Sequence, residues 1–285
     1  MLKTSNHKKP LGILAGNGYL PILIAKSLER RGVNYRIFAT NSQHESLRKL
    51  KPISFDITQP LRLIEKLQKI NVRDVIFAGS FDRSLVQEKN GSKPDAEFAR
   101  IIRESYGQGD DGLLRRVAKF FEEKKIQVLS LGDVAQDIME VNEKFISKAR
   151  PTQEDYNDIK LAMKIFRDFS KLDLGQSIIV AKGLCMGIET NTGTDNMITG
   201  YINYLSNKPK NLIKLGGILL KGTKTKQDKR FDLPTIGPKT LELVYKAGIR
   251  GLVVESGNVI FIDKEEVVKL ANSLNLFIWS RNIND

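Results

Sequence analysis

The first 130 residues alternate short apolar runs with amphipathic stretches, and this alternation is what most restricts the fold. Residues 11–16, 35–39, 53–56, 75–79 and 128–131 read as strands. Between them, 20–31, 60–70, 96–104 and 112–123 carry apolar residues at helical spacing. In the first of these, Leu20, Leu23, Ile24 and Leu28 share one face, and Gly32 stands where a helix C-terminal glycine belongs. Strands separated by helices are joined by crossovers, so they lie parallel in a sheet covered on both faces. A Rossmann-like nucleotide- or phosphate-binding domain is therefore expected over residues 1–136.

The pattern breaks around 137–152, which reads as a linker ending at Arg150-Pro151-Thr152. Thr152 and Asp155 then have the spacing of a capping box, opening a helix to about residue 171. Strands are expected at 177–182, 186–189, 218–221, 252–255, 259–262 and 276–279, the fourth and fifth flanking Gly257-Asn258. Helices are expected from Asp195, over 238–247 and over 264–274. The second half, 153–285, is thus a mixed α/β domain, and the whole chain is of the α/β class.

Two regions carry the chemistry. Gly16-Asn17-Gly18-Tyr19-Leu20-Pro21 lies between the first strand and the first helix. Glycines there let backbone amides approach a phosphate at a helix N-terminus, and a proline suits the first helical turn. A plain tight turn is the competing reading. A dinucleotide fingerprint would place a third glycine where Pro21 stands and an acid where Ala39-Thr40-Asn41 end the second strand. Nicotinamide dinucleotide binding is therefore disfavoured, while a phosphate or nucleotide remains open. Gly109-Asp110-Asp111-Gly112 opens a helix, where capping explains one acid as well as metal or ribose binding does.

The second region runs from Lys221 to Gly237. Lys221, Lys224, Lys226, Lys229 and Arg230 bracket Asp228 and lead to Asp232, set between Phe231 and Leu233. Phosphate chemistry needs positive charge around the anion and a carboxylate to hold a metal or position water. A solvated basic loop is the plainer alternative. Upstream, Glu189 and Asp195 frame a run of hydroxyls at a strand end, a combination that suits magnesium or a capped connection.

Composition narrows the classes. The net charge is +13, with 46 Lys and Arg against 33 Asp and Glu. This suits a polyanionic small substrate, an anionic membrane face or nucleic acid, but no RNA-binding aromatic signature or zinc finger accompanies it, and no nucleic-acid partner is expected. Two histidines are too few for a binuclear metallophosphoesterase, and neither a P-loop nor a nucleophile elbow occurs. The lone Cys185 reads as a buried structural thiol. The basic start is too short for a signal-peptide core, and no apolar run spans a bilayer, so a cytoplasmic location is expected.

Taken in order, GILAGNGYLP, GDDGLLR, Glu189 through GTD, and GGILLKGTKTKQDKRFDLPTIGPKT resemble the LpxI type of UDP-2,3-diacylglucosamine pyrophosphatase, from Leu11 to Trp279. The resemblance implies a two-domain enzyme of lipid A biosynthesis. It would use magnesium to hydrolyse UDP-2,3-diacylglucosamine to UMP and 2,3-diacylglucosamine 1-phosphate (lipid X). Water would attack the sugar-side phosphorus, with the lipid in a crevice between the domains. Asp232 matches the acid on which family activity depends, and the family's nucleotide contacts fall around Gly79 and Arg83. This chain departs from the family pattern at Thr192, where a second acid is common, and at Ser84, where a proline is common.

The resulting candidates are Asp232 for catalysis and Gly16, Asn17, Gly18, Leu20, Pro21, Gly79, Arg83, Lys221, Lys229, Arg230 and Thr235 for substrate and phosphate. Asp232, Glu189, Asp195 and Asp228 are the candidates for magnesium. Transient docking on the cytoplasmic membrane face through the basic surface is expected, and a homodimer is compatible with the sequence. The rivals are a non-catalytic nucleotide- or RNA-binding protein and a nucleotide-dependent oxidoreductase.

Overall fold

A computed structural model of the chain describes residues 9–40, 45–79, 93–106, 109–139, 142–172, 174–209, 216–225, 228–231 and 233–283. The chain divides into two compact units, Met1–Asp137 with Asp228–Asp232, and Ile138–Gln227 with Leu233–Asp285.

In the first unit, β1 (Leu11–Ala15), β2 (Tyr35–Ala39), β3 (Ile53–Ser54), β4 (Asp74–Ala78) and β5 (Gln127–Val128) form a parallel sheet in the order β3-β2-β1-β4-β5. The central β1 is buried along its whole length, as a strand covered on both faces must be. Crossovers are made by α1 (Leu20–Arg30), the short α2 (Glu45–Lys49), α3 (Pro60–Lys69), α4 (Ala96–Ser105) and α5 (Gly109–Glu123). Leu63, Ile64 and Leu67 of α3, Ile101 of α4, and Phe120 and Phe121 of α5 pack with Leu14, Phe38 and Val75 of the sheet. α1 buries Ile22, Ile24 and Leu28. Asp95 caps α4 by accepting the Phe98 amide at 2.8 Å. A short helix, α6 (Leu131–Val134), follows β5.

Residues 228–231 belong to this unit although they arise far along the chain. The Phe231 ring lies 5.0 Å from that of Phe77 in β4, and Arg230 reaches Glu122 of α5 at 2.7 Å.

The second unit is built on β6 (Lys144–Phe145), β7 (Ser177–Ala181), β8 (Leu184–Ile188), β9 (Ile218–Lys221), β11 (Gly251–Glu255) and β13 (Phe277–Arg281), in the order β6-β13-β11-β9-β7-β8. β9, β11 and β13 are parallel; β6, β7 and β8 run antiparallel to their neighbours. The strands alternate as a sheet covered on both faces should. Ile178, Val180, Ile218, Leu220 and Val253 face α7 (Gln153–Phe169) through Ile159, Met163 and Phe166. Ile179, Leu219, Leu252 and Val254 face α8 (Thr194–Ser206), α9 (Pro238–Lys246) and α10 (Lys264–Ser273). The capping box at Thr152 and Asp155 is present, opening α7.

Two strands form where none is expected. β10 (Thr235–Ile236) pairs in parallel with β12 (Ile260–Phe261), the strand after Gly257, making a separate two-stranded sheet. Within the stretch expected to be a linker, Lys144 and Phe145 form the edge strand β6. There Phe145 stacks on Trp279 with ring centroids 4.9 Å apart.

Candidate active site

In the first unit the chain leaves β1, builds one flank of the sheet through β2 and β3, and crosses to the other flank at β4. The carboxyl ends of β1 and β4 are therefore the topological switch point, where open α/β sheets bind ligands. Gly16 to Pro21 and Gly79 meet at this point. The Gly16 amide donates to the Ala78 carbonyl at 2.8 Å, tying the two strand ends together. Gly79 adopts φ +87°, and a Cβ there would stand 2.2 Å from the Asn17 carbonyl oxygen, so only glycine lets the two loops approach. Tyr19, the N-cap residue of α1, makes no side-chain cap bond, and Pro21 occupies the first turn. The Ile22 and Leu23 amides return to the Tyr19 carbonyl and Pro21 has no N–H, so what this helix end offers an anion is the positive end of its dipole. Tyr19 flanks the turn and accepts from Lys26 Nζ at 3.0 Å.

In the second unit, the corresponding strand ends carry polar side chains. Lys221 ends β9 and stands opposite Ser177, the first residue of β7. The Glu189 amide donates to the Ser177 carbonyl, bringing the residue after β8 to the same edge. Gly193, at φ +86°, turns the chain into α8, whose first residue is Thr194. Lys221 is only 6% exposed, yet its Nζ meets the Thr194 hydroxyl at 2.5 Å. Thr194 and Ser177 both donate to one oxygen of Glu189, the former at 2.9 Å.

Next along this edge, Glu255 ends β11. It accepts the amide and hydroxyl of Thr223 at 2.7 Å each, and its other oxygen accepts from Asn258. The basic loop after Lys221 is thus bolted down as far as Thr225, which contacts the Ser170 hydroxyl at 2.8 Å. An ammonium buried among hydroxyls and held near a carboxylate is a preorganised site for a phosphate oxyanion.

Asp232 and Arg83 lie outside the described residues. Among the other candidates, the structure does not gather the proposed metal ligands. Asp195 pairs with Lys239 at 2.8 Å, Asp228 with Arg230 at 2.6 Å, and Glu189 is engaged by the two hydroxyls. No group of three potential metal ligands occurs among the described residues. Burial pushes the Asp228 carboxyl up, but hydrogen bonds from the Arg230 side chain and amide, with the guanidinium charge, outweigh it and hold it below the usual range. The same bonds raise Arg230 further, so it stays charged and committed to Asp228 and Glu122. Lys229 is exposed, and Thr235 lies half-buried in β10.

Cys185 corrects an expectation: it is exposed, because β8 is the sheet's edge strand and only one neighbour covers it. It lines an open groove of about 610 Å³ with Leu184, Met186, Met197 and Tyr204. Sequence reasoning missed Ser177, Thr223 and Glu255 as site residues, and reached Thr194 only as part of the hydroxyl run between Glu189 and Asp195. The available signal was a polar residue at the end of an apolar strand, as in Glu255 after Leu252, Val253 and Val254.

Known proteins match along the same lines. The model of the LpxI N-terminal domain matches residues 10–138, and that of the LpxI C-terminal domain matches residues 142–279. A UDP-2,3-diacylglucosamine pyrophosphatase LpxI from Caulobacter vibrioides is 29% identical over 274 residues, covering 95% of this chain and 96% of the relative. With both domain models matched in order along the chain, the protein belongs to the LpxI family.

Proposed function

We propose that this chain is a UDP-2,3-diacylglucosamine pyrophosphatase of lipid A biosynthesis, releasing UMP and 2,3-diacylglucosamine 1-phosphate. Family membership across both domains carries the reading, and two features of the molecule support it. The switch-point mouth of the first unit, with its close backbone approach at Gly79, suits the phosphate of a nucleotide. The buried Lys221 edge of the second unit suits charge that develops on a phosphoryl oxygen.

In the reaction, the oxygen of water bonds to the sugar-side phosphorus. The bond from that phosphorus to the bridging oxygen breaks, and the bridging oxygen leaves with UMP. Two anionic phosphates repel the incoming water, and Lys221 offsets that charge without needing to reorient. Asp232 accepts the water's proton or orients the water. Among the described residues, Glu189, Asp195 and Asp228 each pair with another side chain and are not gathered into a group of three potential metal ligands. Magnesium remains the proposed cofactor in the form in which it commonly serves phosphate enzymes, bound largely by the substrate's own phosphates, and it would supply further charge neutralisation there. No described helix is long and apolar enough to cross a membrane. The +13 charge supports transient docking on an anionic membrane face that presents the lipid substrate.

The experiment is direct. Purified protein is incubated with UDP-2,3-diacylglucosamine, with magnesium or with excess chelator, and the products are resolved by mass spectrometry. UMP and the sugar 1-phosphate in equal amounts with magnesium are expected, and their absence would defeat the proposal. Full turnover in excess chelator would remove magnesium from it.

A further inference from the structure

Thr194 has a buried hydroxyl that capping does not explain. The N-cap of α8 is Gly193, with no side-chain cap bond; Thr194 is the first helical residue and 8% exposed. Its oxygen accepts from Lys221 Nζ at 2.5 Å and donates to Glu189 Oε2 at 2.9 Å. Ser177, fully buried, donates to the same carboxylate oxygen and lies 3.1 Å from the Thr194 hydroxyl. A hydroxyl has one proton to give. With that proton on Glu189, a lone pair of Thr194 faces the ammonium, and donation runs one way from Lys221 through Thr194 to Glu189.

We propose that Thr194 is a positioning residue of the hydrolytic site, orienting the Lys221 ammonium for the substrate's phosphates, while Glu189 and Ser177 fix the direction of its hydroxyl. The inference rests on the pyrophosphatase reading and deepens it. It also gives Glu189 a role other than metal ligand. A lysine side chain is long and rotamer-rich, and an ammonium that must reorient during reaction stabilises the transition state less than one already held. The relay supplies that hold, and it places the compensating carboxylate one hydroxyl away from the cation.

The test compares Thr194→Val, which removes the hydroxyl at nearly constant shape, with Thr194→Ser, which keeps it. Turnover of UDP-2,3-diacylglucosamine is followed in wild-type and Lys221→Met backgrounds. Thr194→Val should lower kcat by about 30-fold with KM within about threefold of wild type, the scale of effect expected from misplacing one preorganised group. Thr194→Ser should recover most of that loss. Because Thr194 acts through Lys221, adding Thr194→Val to Lys221→Met should cost less than about a further twofold.

A Thr194→Val kcat within about threefold of wild type overturns the inference, as does a Thr194→Ser enzyme as slow as Thr194→Val, or an undiminished loss in the Lys221→Met background. If Thr194→Val does not fold, by circular dichroism and thermal melting, Glu189→Gln decides. A kcat at least about tenfold lower at unchanged KM upholds the relay, and a wild-type kcat overturns it. A wild-type protein with no turnover defeats the pyrophosphatase reading and this inference together. Every other failure leaves that reading standing.

Discussion

The two strand-end sites are made of different material. At the switch point of the first unit the working parts are backbone: glycines, a helix N-terminus without a side-chain cap and a close approach at Gly79. At the edge of the second unit they are side chains from separate strands and a helix, with Lys221, Thr194, Glu189 and Ser177 joined by hydrogen bonds. A backbone site tolerates many neighbouring side chains but not a Cβ in the wrong place. A side-chain relay tolerates backbone adjustment but not the loss of one hydroxyl or charge. The units should therefore fail differently when mutated.

The largest effect is expected at Asp232, the family-matched acid. Asp232→Ala should reduce kcat by orders of magnitude with the fold intact. Retention of more than about a tenth of the wild-type rate, a loss under ~1.4 kcal/mol of transition-state stabilisation, would remove it from the chemistry.

Gly79→Ala should act on the first unit instead. It forces a left-handed φ on alanine and drives a Cβ to 2.2 Å from the Asn17 carbonyl oxygen. A loss of about 2 kcal/mol or more in urea unfolding is expected, with a raised KM. A variant as stable as wild type, binding substrate equally well, would show that the mouth is not backbone-built.

The Asp228–Arg230 pair makes a smaller, pH-dependent contribution. The Asp228 carboxyl titrates below its ordinary value in the folded protein. Its stabilisation is therefore complete above the unfolded carboxylate value of about pH 4 and is lost as pH falls through the lowered folded value. Asp228→Asn should cost about 1 kcal/mol at pH 7, with the gap to wild type narrowing in acid. A gap that is constant from pH 7 down to pH 2 would contradict the assignment.

The smallest effect is expected at Cys185. Its thiol is exposed, yet partial burial pushes its pKa up against a weaker lowering by the Gly187 backbone hydrogen bond. Little thiolate is present at neutral pH, so Ellman's reagent should react more slowly with the folded than with the urea-unfolded chain, and blocking the thiol should change turnover by less than about twofold. Fast modification with loss of activity would place β8 in the site.

The same contrast explains what could be read from the sequence. The alternation in the first 130 residues is local, so the α/β class, the parallel first sheet and the glycine turn were legible from spacing. The mixed character of the second half was legible too, but its pairings were not. The strand after Gly257 was legible, but only its pairing with distant β10 places β12 outside the main sheet. β6 is two residues long, too short for periodicity to reveal. Residues 228–231 gave no sign that Phe231 would pack on Phe77. Lys221 and Glu189 stood out by charge, but Ser177 and Thr194 become site residues only through the register of β7 with β9 and the turn at Gly193.

The most direct test of the account is hydrolysis of UDP-2,3-diacylglucosamine by the wild-type protein in water enriched in oxygen-18, with both products analysed by mass spectrometry. The account predicts one heavy oxygen in 2,3-diacylglucosamine 1-phosphate and none in UMP, since water attacks the sugar-side phosphorus and the bridging oxygen leaves with the nucleotide. Label in UMP alone, or no hydrolysis at all, would contradict it.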